Sequence, residues 1–371
     1  MHIFALLGDG SVGCQAPGKY TQEPRGATEE LGSPYHRVLE RKKLVDRKGY
    51  IFFITVSLFL VFFSMCLSLA VGEVRIPLPE VARMLLYKIG LTSSMTGAFG
   101  VYDTILLFVR LPRTLMVFFV GSVLGVTGAV YQGLLLNPLA ESYTLGVASG
   151  AALGATIAIA FNVNLVRPFA FLGGILTLLG VWSLSHRSRS VDPTRLILSG
   201  VVVGSILQAL MMLLQTLFPE KLGAFFFWIM GSFGSASWKW LPGCLIASCI
   251  ALLFTLLHRE LDLISLGEGK AETLGMSIVR MRWVLLCTAS LITSVVVSYC
   301  GVIGFVGLIV PHLLRMLVGH SHSRLLFASW MGGGLMLLWA DMAARAIGSL
   351  PVGVLTALVG GPIFCLFLWR S

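Results

Sequence analysis

Ionisable side chains that could carry proton or ion chemistry are scarce in the long apolar stretches of this sequence. Asp341 and Arg345 stand four residues apart, a spacing that lets a carboxylate and a guanidinium pair on one helix face. His312 is expected to be packed or water-facing, and the loop His320-Ser321-His322 to be solvated. Because carboxylates and histidines inside a membrane mark proton relays and ion sites, their scarcity disfavours a proton-coupled carrier.

The sequence also lacks the residue sets of familiar catalytic sites. It has no Ser/His/Asp set, HExxH pair or carboxylate pair at usable spacing, and its seven cysteines form no CxxC pair. The polar stretch Gly267-Glu268-Gly269-Lys270-Ala271 has neither the spacing nor the hydroxyl residue of a GxxxxGK[ST] phosphate loop. We therefore predict that the chain is not an enzyme, holds no metal or cofactor, and leaves any nucleotide hydrolysis to another polypeptide.

Composition shows which elements must carry the remaining polar groups. Of the 371 residues 56% are hydrophobic and 12% charged, whereas soluble domains have about 25% charged residues. Intervals without any charge, such as Lys48 to Glu73 and Arg282 to Arg315, are long enough for helices that cross a bilayer core about 30 Å thick. The net charge of +10 is interpreted as a topology signal rather than a nucleic-acid surface, since eight of the 27 Lys and Arg precede residue 49.

The apolar pattern predicts an all-α polytopic membrane bundle. Residues 1–49 are predicted to be a flexible basic cytoplasmic tail, and residues 50–371 the transmembrane domain. The Gly- and Ser-rich stretch 222–238 is interpreted as an outer connection rather than a span. Placing both termini in the cytoplasm puts 18 Lys and Arg inside and 9 outside. About ten helices are expected, near 50–71, 113–136, 144–162, 166–184, 195–218, 240–258, 279–300, 304–318, 324–346 and 353–369.

Small residues recur at four-residue spacing in several of these spans. Gly121 with Gly125 and Gly150 with Gly154 are examples. Small faces let helix backbones approach closely in lipid, so we expect tight helix packing at these positions.

Eight short motifs follow one another along residues 50–370. They are Arg110-Leu111-Pro112-Arg113, Gly128-Ala129-Val130-Tyr131-Gln132-Gly133, Asn137-Pro138-Leu139-Ala140-Glu141, Leu145-Gly146-Val147-Ala148-Ser149-Gly150, Trp228-Ile229-Met230-Gly231-Ser232, Glu268-x-x-Ala271-x-x-Leu274-Gly275, the run from Gly304 to Arg315, and Leu350-Pro351-Val352-Gly353. In this order the motifs resemble the permease family of ATP-driven importers for iron-siderophores, haem and vitamin B12. The resemblance implies a type II ABC importer permease of about ten helices in the cytoplasmic (inner) membrane. It further implies a homodimer, two copies of a separate ATPase that hold the ATP and Mg²⁺, and an extracytoplasmic binding protein.

The same resemblance assigns roles to individual positions. Arg110, Arg113 and Arg345 match arginines that meet acidic side chains of the binding protein, a role that suits the planar guanidinium fork. The segment 265–275 matches the coupling helix that docks on the ATPase. Its matching positions are Glu268, Ala271, Leu274 and Gly275, and those of the cytoplasmic gate are Asn137, Leu139, Pro193 and Thr194.

Two departures from the family pattern and the choice of cargo stay open at this point. Ser349 stands where relatives often carry an acidic residue, and Asp192-Pro193 stands where their gate loop is rich in small hydroxyl residues. The leading expectation for the cargo is a ferric chelate, either an iron-siderophore or haem, because more family members serve these. Cobalamin is the alternative, and an ion-coupled secondary carrier is a third reading from a different class.

Overall fold

The computed structural model describes residues 47–72, 74, 76–88, 99–185, 192–265, 277–348 and 350–370, and all regular structure in these ranges is helical. The predicted tail up to residue 46, the coupling positions Glu268, Ala271, Leu274 and Gly275, and Ser349 lie outside the described residues. The α-helices, numbered here in chain order, are α1 Arg47–Ala70, α2 Leu78–Lys88, α3 Phe99–Thr104, α4 Leu111–Leu134, α5 Val147–Ala160, α6 Val166–Ser185, α7 Pro193–Leu217, α8 Leu222–Ile229, α9 Leu241–Leu253, α10 His258–Ser265, α11 Ile278–Cys300, α12 Val306–Val318, α13 His322–Ile347 and α14 Val352–Arg370.

Seven helical segments of the described chain are long and apolar enough to cross a membrane, and three apolar helices are shorter. Each of the ten predicted spans overlaps one of these ten segments. The all-α prediction is therefore confirmed for the described ranges, while the count of ten crossings and the orientation stay predictions. The long segments are Gly49–Ala70, Tyr102–Leu134, Val166–Ser185, Pro193–Leu217, Leu241–Ser265, Ile278–Cys300 and His322–Ile347, and the shorter ones are Val147–Ala160, Val306–Val318 and Val352–Leu366.

Local sequence explains where several helices begin and end. A π-helical turn, Ile105–Arg110, joins α3 to α4, and Pro112 in the first turn of α4 has no amide hydrogen to lose there. The apolar run 283–314 is divided between α11 and α12 as expected, because Gly301 has a φ of +74° and leaves the helical region. The stretch 222–238 contains only the eight-residue α8, which is too short to span a bilayer.

The centre of the bundle is α4, most of which is buried. It packs against α9, α11, α12 and α13. A Cβ built on Gly121 would lie 2.3 Å from the carbonyl oxygen of Gly333 in α13, and one on Gly154 in α5 would lie 2.1 Å from that of Phe169 in α6. The expected tight packing at these small residues is confirmed, since only hydrogen fits between such backbones.

Candidate functional sites

A carboxylate between two arginines lies at one end of the bundle, here called the Asp341 end. Asp341, fully buried on α13, accepts hydrogen bonds at its Oδ1 from Arg113 Nε (3.1 Å) and Nη2 (2.7 Å). Its Oδ2 lies 2.9 Å from Nε of Arg345, one turn further along α13. The predicted Asp341–Arg345 pair is confirmed, and Arg113 of α4 joins it. Burying a carboxylate is costly, and the two neighbouring positive charges offset that cost here.

The same arginine cluster caps the carboxyl end of α1. Arg110 donates to the carbonyl oxygens of Leu69 (2.6 Å) and Ala70 (3.0 Å), and also to that of Val74. Arg345 donates to the carbonyl oxygens of Ser68 (3.0 Å) and Val71 (2.6 Å) and to the Ser68 hydroxyl. The last carbonyls of a helix have no partner within it and carry its negative dipole end, so two cations there satisfy both needs.

The three arginines predicted to dock a binding protein are thus brought together in space. Arg110 and Arg345 are 5% and 7% exposed, and the Arg113 side chain is 17% exposed. Their guanidinium groups already have partners within the chain. Docking stays a prediction, and the structure adds an internal role that the sequence reading missed. The sequence signal for this internal role was Asp341, a carboxylate in an apolar span. Such a carboxylate needs more positive charge around it than a single exposed ion pair supplies.

The opposite end of the bundle, here called the Asn137 end, holds the loop 135–146 between α4 and α5. The Asn137 side-chain oxygen accepts from the backbone N–H of Leu139 at 2.9 Å, which forms a tight Asx turn. Leu139 is exposed, and the preceding Leu136 has a φ of +50°. The loop therefore exposes the apolar side chain of Leu139 on a backbone that the Asn137 side chain holds in place. A small hydrophobic constriction would need such an arrangement.

A buried amide fixes this loop to α12. Gln132, in the last turn of α4, donates through Nε2 to the carbonyl oxygens of Gly307 (3.3 Å) and Leu308 (3.1 Å). Its Oε1 accepts from Arg315 Nη1 at 2.7 Å. These contacts join two motifs that the sequence reading noted separately, the one around Gln132 and the one ending at Arg315. Gln132 also holds the loop backbone, because its carbonyl oxygen accepts from the Asn137 N–H at 3.2 Å.

Glu141 in the same loop is set apart by its environment. Burial raises the pKa of its carboxyl to about 7, although a hydrogen bond from the Phe305 backbone acts in the opposite direction. A Cβ built on Gly307 would lie 3.7 Å from that of Glu141, which places the residue against the start of α12. Glu141 can therefore change charge near neutral pH beside the predicted gate.

The predicted gate positions Pro193 and Thr194 form the first turn of α7. Asp192 caps that helix, since its Oδ1 accepts from the Thr194 backbone N–H at 2.9 Å, and Pro193 occupies the position where helices favour proline. A Cβ built on Gly200, two turns into α7, would lie 2.1 Å from the Thr144 carbonyl oxygen, so this part of α7 packs against the loop that contains Asn137. The Asp192-Pro193 departure is thus a helix-start signal.

One further cluster corrects a prediction. His322 is 3% exposed and not solvated as expected, although His320 is exposed. Asp262 of α10 lies 2.7 Å from His322 Nδ1, accepts from the His322 backbone N–H at 2.9 Å, and accepts from the Ser321 hydroxyl at 3.2 Å. The reason is that α13 begins with an unsatisfied amide, and the carboxylate of a neighbouring helix caps it. This joint lies three residues before the end of α10, where the predicted coupling segment starts.

Comparison with known proteins agrees with this architecture. The family model described as the FecCD transport family matches residues 60–370. Relatives include the cobalamin import system permease protein BtuC of Halobacterium salinarum (38% identical, covering 74% of this chain and 76% of its own length) and the Fe(3+) dicitrate transport system permease protein FecD of Escherichia coli (36%, 82% and 94%). The molybdate import system permease protein MolB of Haemophilus influenzae is 34% identical and covers 82% and 91%.

A solved structure is similar over nearly its whole length. A metal-chelate type ABC transporter in an inward-facing conformation superposes with a TM-score of 0.76 at 32% identity, covering 86% of this chain and 99% of its own. The arginine cluster at one end, the braced Asn137 loop at the other and the apolar bundle between them therefore sit on a transport permease scaffold. On the family match and these relatives together, the chain belongs to the FecCD transport family.

Proposed function

We propose that this chain is the transmembrane permease subunit of an ATP-driven importer that carries a ferric chelate, either an iron-siderophore or haem, across the cytoplasmic membrane. The family match over residues 60–370 is the observation that carries the proposal. The buried helices around α4 supply a rigid frame that can transmit motion between its two ends.

The identity of the cargo has two candidates. An Fe(3+) dicitrate permease at 36% identity favours a ferric chelate, and a cobalamin permease at 38% favours vitamin B12 as the second candidate. The ion pairs of Asp341 disfavour an ion-coupled secondary carrier. The carboxylate is compensated by Arg113 and Arg345, and such a group is not available as a proton relay.

The proposed assembly contains a second copy of this chain, two copies of an ABC ATPase and an extracytoplasmic binding protein. ATP and Mg²⁺ would bind to the ATPase. We place ATPase coupling at Glu268, Ala271, Leu274 and Gly275, directly after α10, whose Asp262 is bonded to the start of α13. The supporting observation is that α13 runs from that joint to Asp341 and Arg345, so one helix links both ends of the bundle.

Binding-protein docking is proposed at Arg110, Arg113 and Arg345. Their clustering at one end of the bundle supports this role. Acidic side chains of the binding protein would share these guanidinium groups with Asp341 and with the α1 carbonyls, which predicts an effect on association rate more than on affinity. The cytoplasmic gate is proposed at Asn137, Leu139, Pro193 and Thr194, at the opposite end.

Transport into sealed vesicles tests the proposal. Vesicles would contain the chain with its partner ATPase, ATP on the ATPase side and binding protein on the other, and would be offered hemin, a ferric siderophore and cobalamin in turn. We expect ATP-dependent uptake of one iron chelate. Uptake driven by an ion gradient without ATP would overturn the proposal, and uptake of cobalamin alone would select the second candidate.

The coupling assignment needs its own variant. Ala271→Trp is expected to weaken co-purification of the ATPase while the chain still inserts into the membrane, because a large side chain blocks a helix docked in a groove. Gly180→Ala, on α6 with no atom within 4 Å of the added methyl, is the matched control. Wild-type co-purification of Ala271→Trp would remove the coupling role from this segment.

A further inference from the structure

A cavity of about 810 Å³ opens at the Asp341 end of the bundle. Its wall is formed by the carboxyl ends of α5 and α11, by α8, and by the amino ends of α6 and α9. Lining residues include Ile159, Arg167, Trp228, Trp240 and Tyr299. One hydrogen bond connects its surroundings to the arginine cluster: Trp238 Nε1, next in sequence to the lining residue Lys239, donates at 2.8 Å to the carbonyl oxygen of Leu107, three residues before Arg110. Small-molecule sites in proteins have volumes of about 300–1,000 Å³.

Two cations share one ring in this cavity. The Arg167 guanidinium carbon lies 4.0 Å from the centroid of a Trp240 ring, and Lys239 Nζ lies 4.8 Å from it. The two positive groups are therefore less than about 9 Å apart, and like charges at that distance repel each other. Arg167 also donates to the Ser235 hydroxyl at 3.2 Å.

No carboxylate compensates this pair within the described lining. The lining residues include no Asp or Glu, and neither cation forms an ion pair with a described acidic side chain. The contrast with the Asp341 cluster is direct, because there a carboxylate lies between the cations. The cavity thus has the charge that an anion would neutralise.

Aromatic and hydroxyl groups complete the wall. Phe227 and Trp228 of α8 line it, and the Trp240 ring lies 5.7 Å from that of Tyr299. Ser232, Ser235 and Ser298 add hydroxyl groups. Such a lining suits a ligand with an apolar or planar body and a few anionic groups at its edge.

We propose that this cavity is a binding site for an anionic metal chelate that carries carboxylate groups, with Arg167 and Lys239 as its anion-binding residues and Trp240 as the ring that positions them. The identification of the ligand as a cargo chelate rests on the proposed function. The site favours a carboxylate-bearing iron chelate over a corrinoid without such charge. The same anion chemistry could come from an anionic lipid headgroup, and the experiment separates these sources.

Equilibrium binding of radiolabelled hemin to the full chain in phosphatidylcholine nanodiscs tests the site without ATPase or binding protein. The double variant Arg167→Gln/Lys239→Gln is expected to bind hemin at least tenfold more weakly than the wild type. Arg167→Lys/Lys239→Arg keeps both charges and is expected to recover most of the affinity. Arg83→Gln, an exposed arginine of α2 that does not line the cavity, is the matched control and is expected to bind like the wild type.

Two results of the binding experiment would overturn the site. One is equal hemin affinity of the wild type and the double variant, with both folded by circular dichroism. The other is co-purification of phosphatidylglycerol with the wild type, lost in the double variant, together with hemin binding that phosphatidylglycerol nanodiscs abolish, since the occupant would then be lipid. ATP-driven uptake unchanged in the double variant refutes this site alone, whereas hemin binding without any ATP-driven uptake refutes the proposed function alone.

Discussion

Asp341 accepts two side-chain hydrogen bonds at its Oδ1 from Arg113, a residue 228 positions earlier in the chain. The contact joins α4 to α13 at the end of the bundle where α1 also stops. Because Arg345 occupies the second carboxylate oxygen, three helices depend on one acidic side chain. The proposed docking arginines are therefore held in fixed positions before any partner arrives.

Removing the charge of Asp341 is expected to weaken the whole bundle. In Asp341→Asn the buried guanidinium of Arg345 and the partly buried one of Arg113 lose their counter-charge. Breaking a buried ion pair costs about 3–5 kcal/mol of unfolding free energy. The thermal unfolding midpoint in detergent should fall clearly. Asp103→Asn on α3, a partly exposed carboxylate, is the control. Equal midpoints for the two variants would show that the cluster adds little to stability.

Arg110→Gln is expected to loosen the end of α1. The substitution removes a charged donor to three backbone carbonyl groups, and hydrogen bonds to charged groups are worth about 1.5–3 kcal/mol. Hydrogen exchange should rise in the last turn of α1 and stay unchanged in α13. Arg83→Gln should change neither. Unaltered exchange at Leu69 and Ala70 in Arg110→Gln would contradict the capping role.

Asp262→Ala is expected to cost about 0.5–2 kcal/mol of stability through the lost cap of α13. It should also reduce stimulation of the partner ATPase, because α10 would no longer be bonded to α13. Asp192→Ala removes the cap of α7 but joins no second helix, so it is the matched control for stability. ATPase stimulation that falls equally in both variants would argue against a specific joint at Asp262.

Glu141 predicts a pH dependence of stability near neutrality. The folded carboxyl keeps its proton up to about pH 7, whereas an unfolded one releases it near its ordinary value of 4.5. The folded state thus binds more protons between these values, and stability is expected to fall as pH rises through this window. Unfolding midpoints from pH 4.5 to 8 should show this slope, and Glu141→Gln should flatten it. An identical slope in the variant would assign it to other groups.

Gly128→Ala is expected to prevent normal packing of α4 on α12. The added Cβ would lie 2.0 Å from the Gly307 carbonyl oxygen, which is backbone and cannot rotate away. Poor folding yield, measured by size-exclusion chromatography, should result. Gly180→Ala meets no atom within 4 Å and should fold normally or be slightly more stable, since alanine favours helices. Normal yield of Gly128→Ala would show that the two helices separate easily.

The long apolar helices and the family could be predicted from the sequence alone. Charge-free intervals predicted the apolar helices because a span is a property of contiguous residues, and the helix break at Gly301 is equally local. The start of α7 at Asp192-Pro193 is also a local signal, although the sequence analysis noted it only as a departure in the gate loop. The collinear motifs indicated the permease family, which the family model confirms over residues 60–370. Four-residue glycine spacing also predicted close packing, although not which helix would be the partner.

Which polar groups contact each other follows from how the helices pack. Three of these contacts join residues that are at least 60 positions apart in the chain. They are Arg113 with Asp341, Asp262 with His322, and Arg167 with the Trp240 ring. Their pairing depends on the helix faces that pack together, and the apolar pattern of a membrane helix does not encode its neighbour, because lipid and protein are similarly apolar. For that reason the sequence indicated the motif that contains Arg110 and Arg113, but not that Asp341 is the carboxylate partner of Arg113.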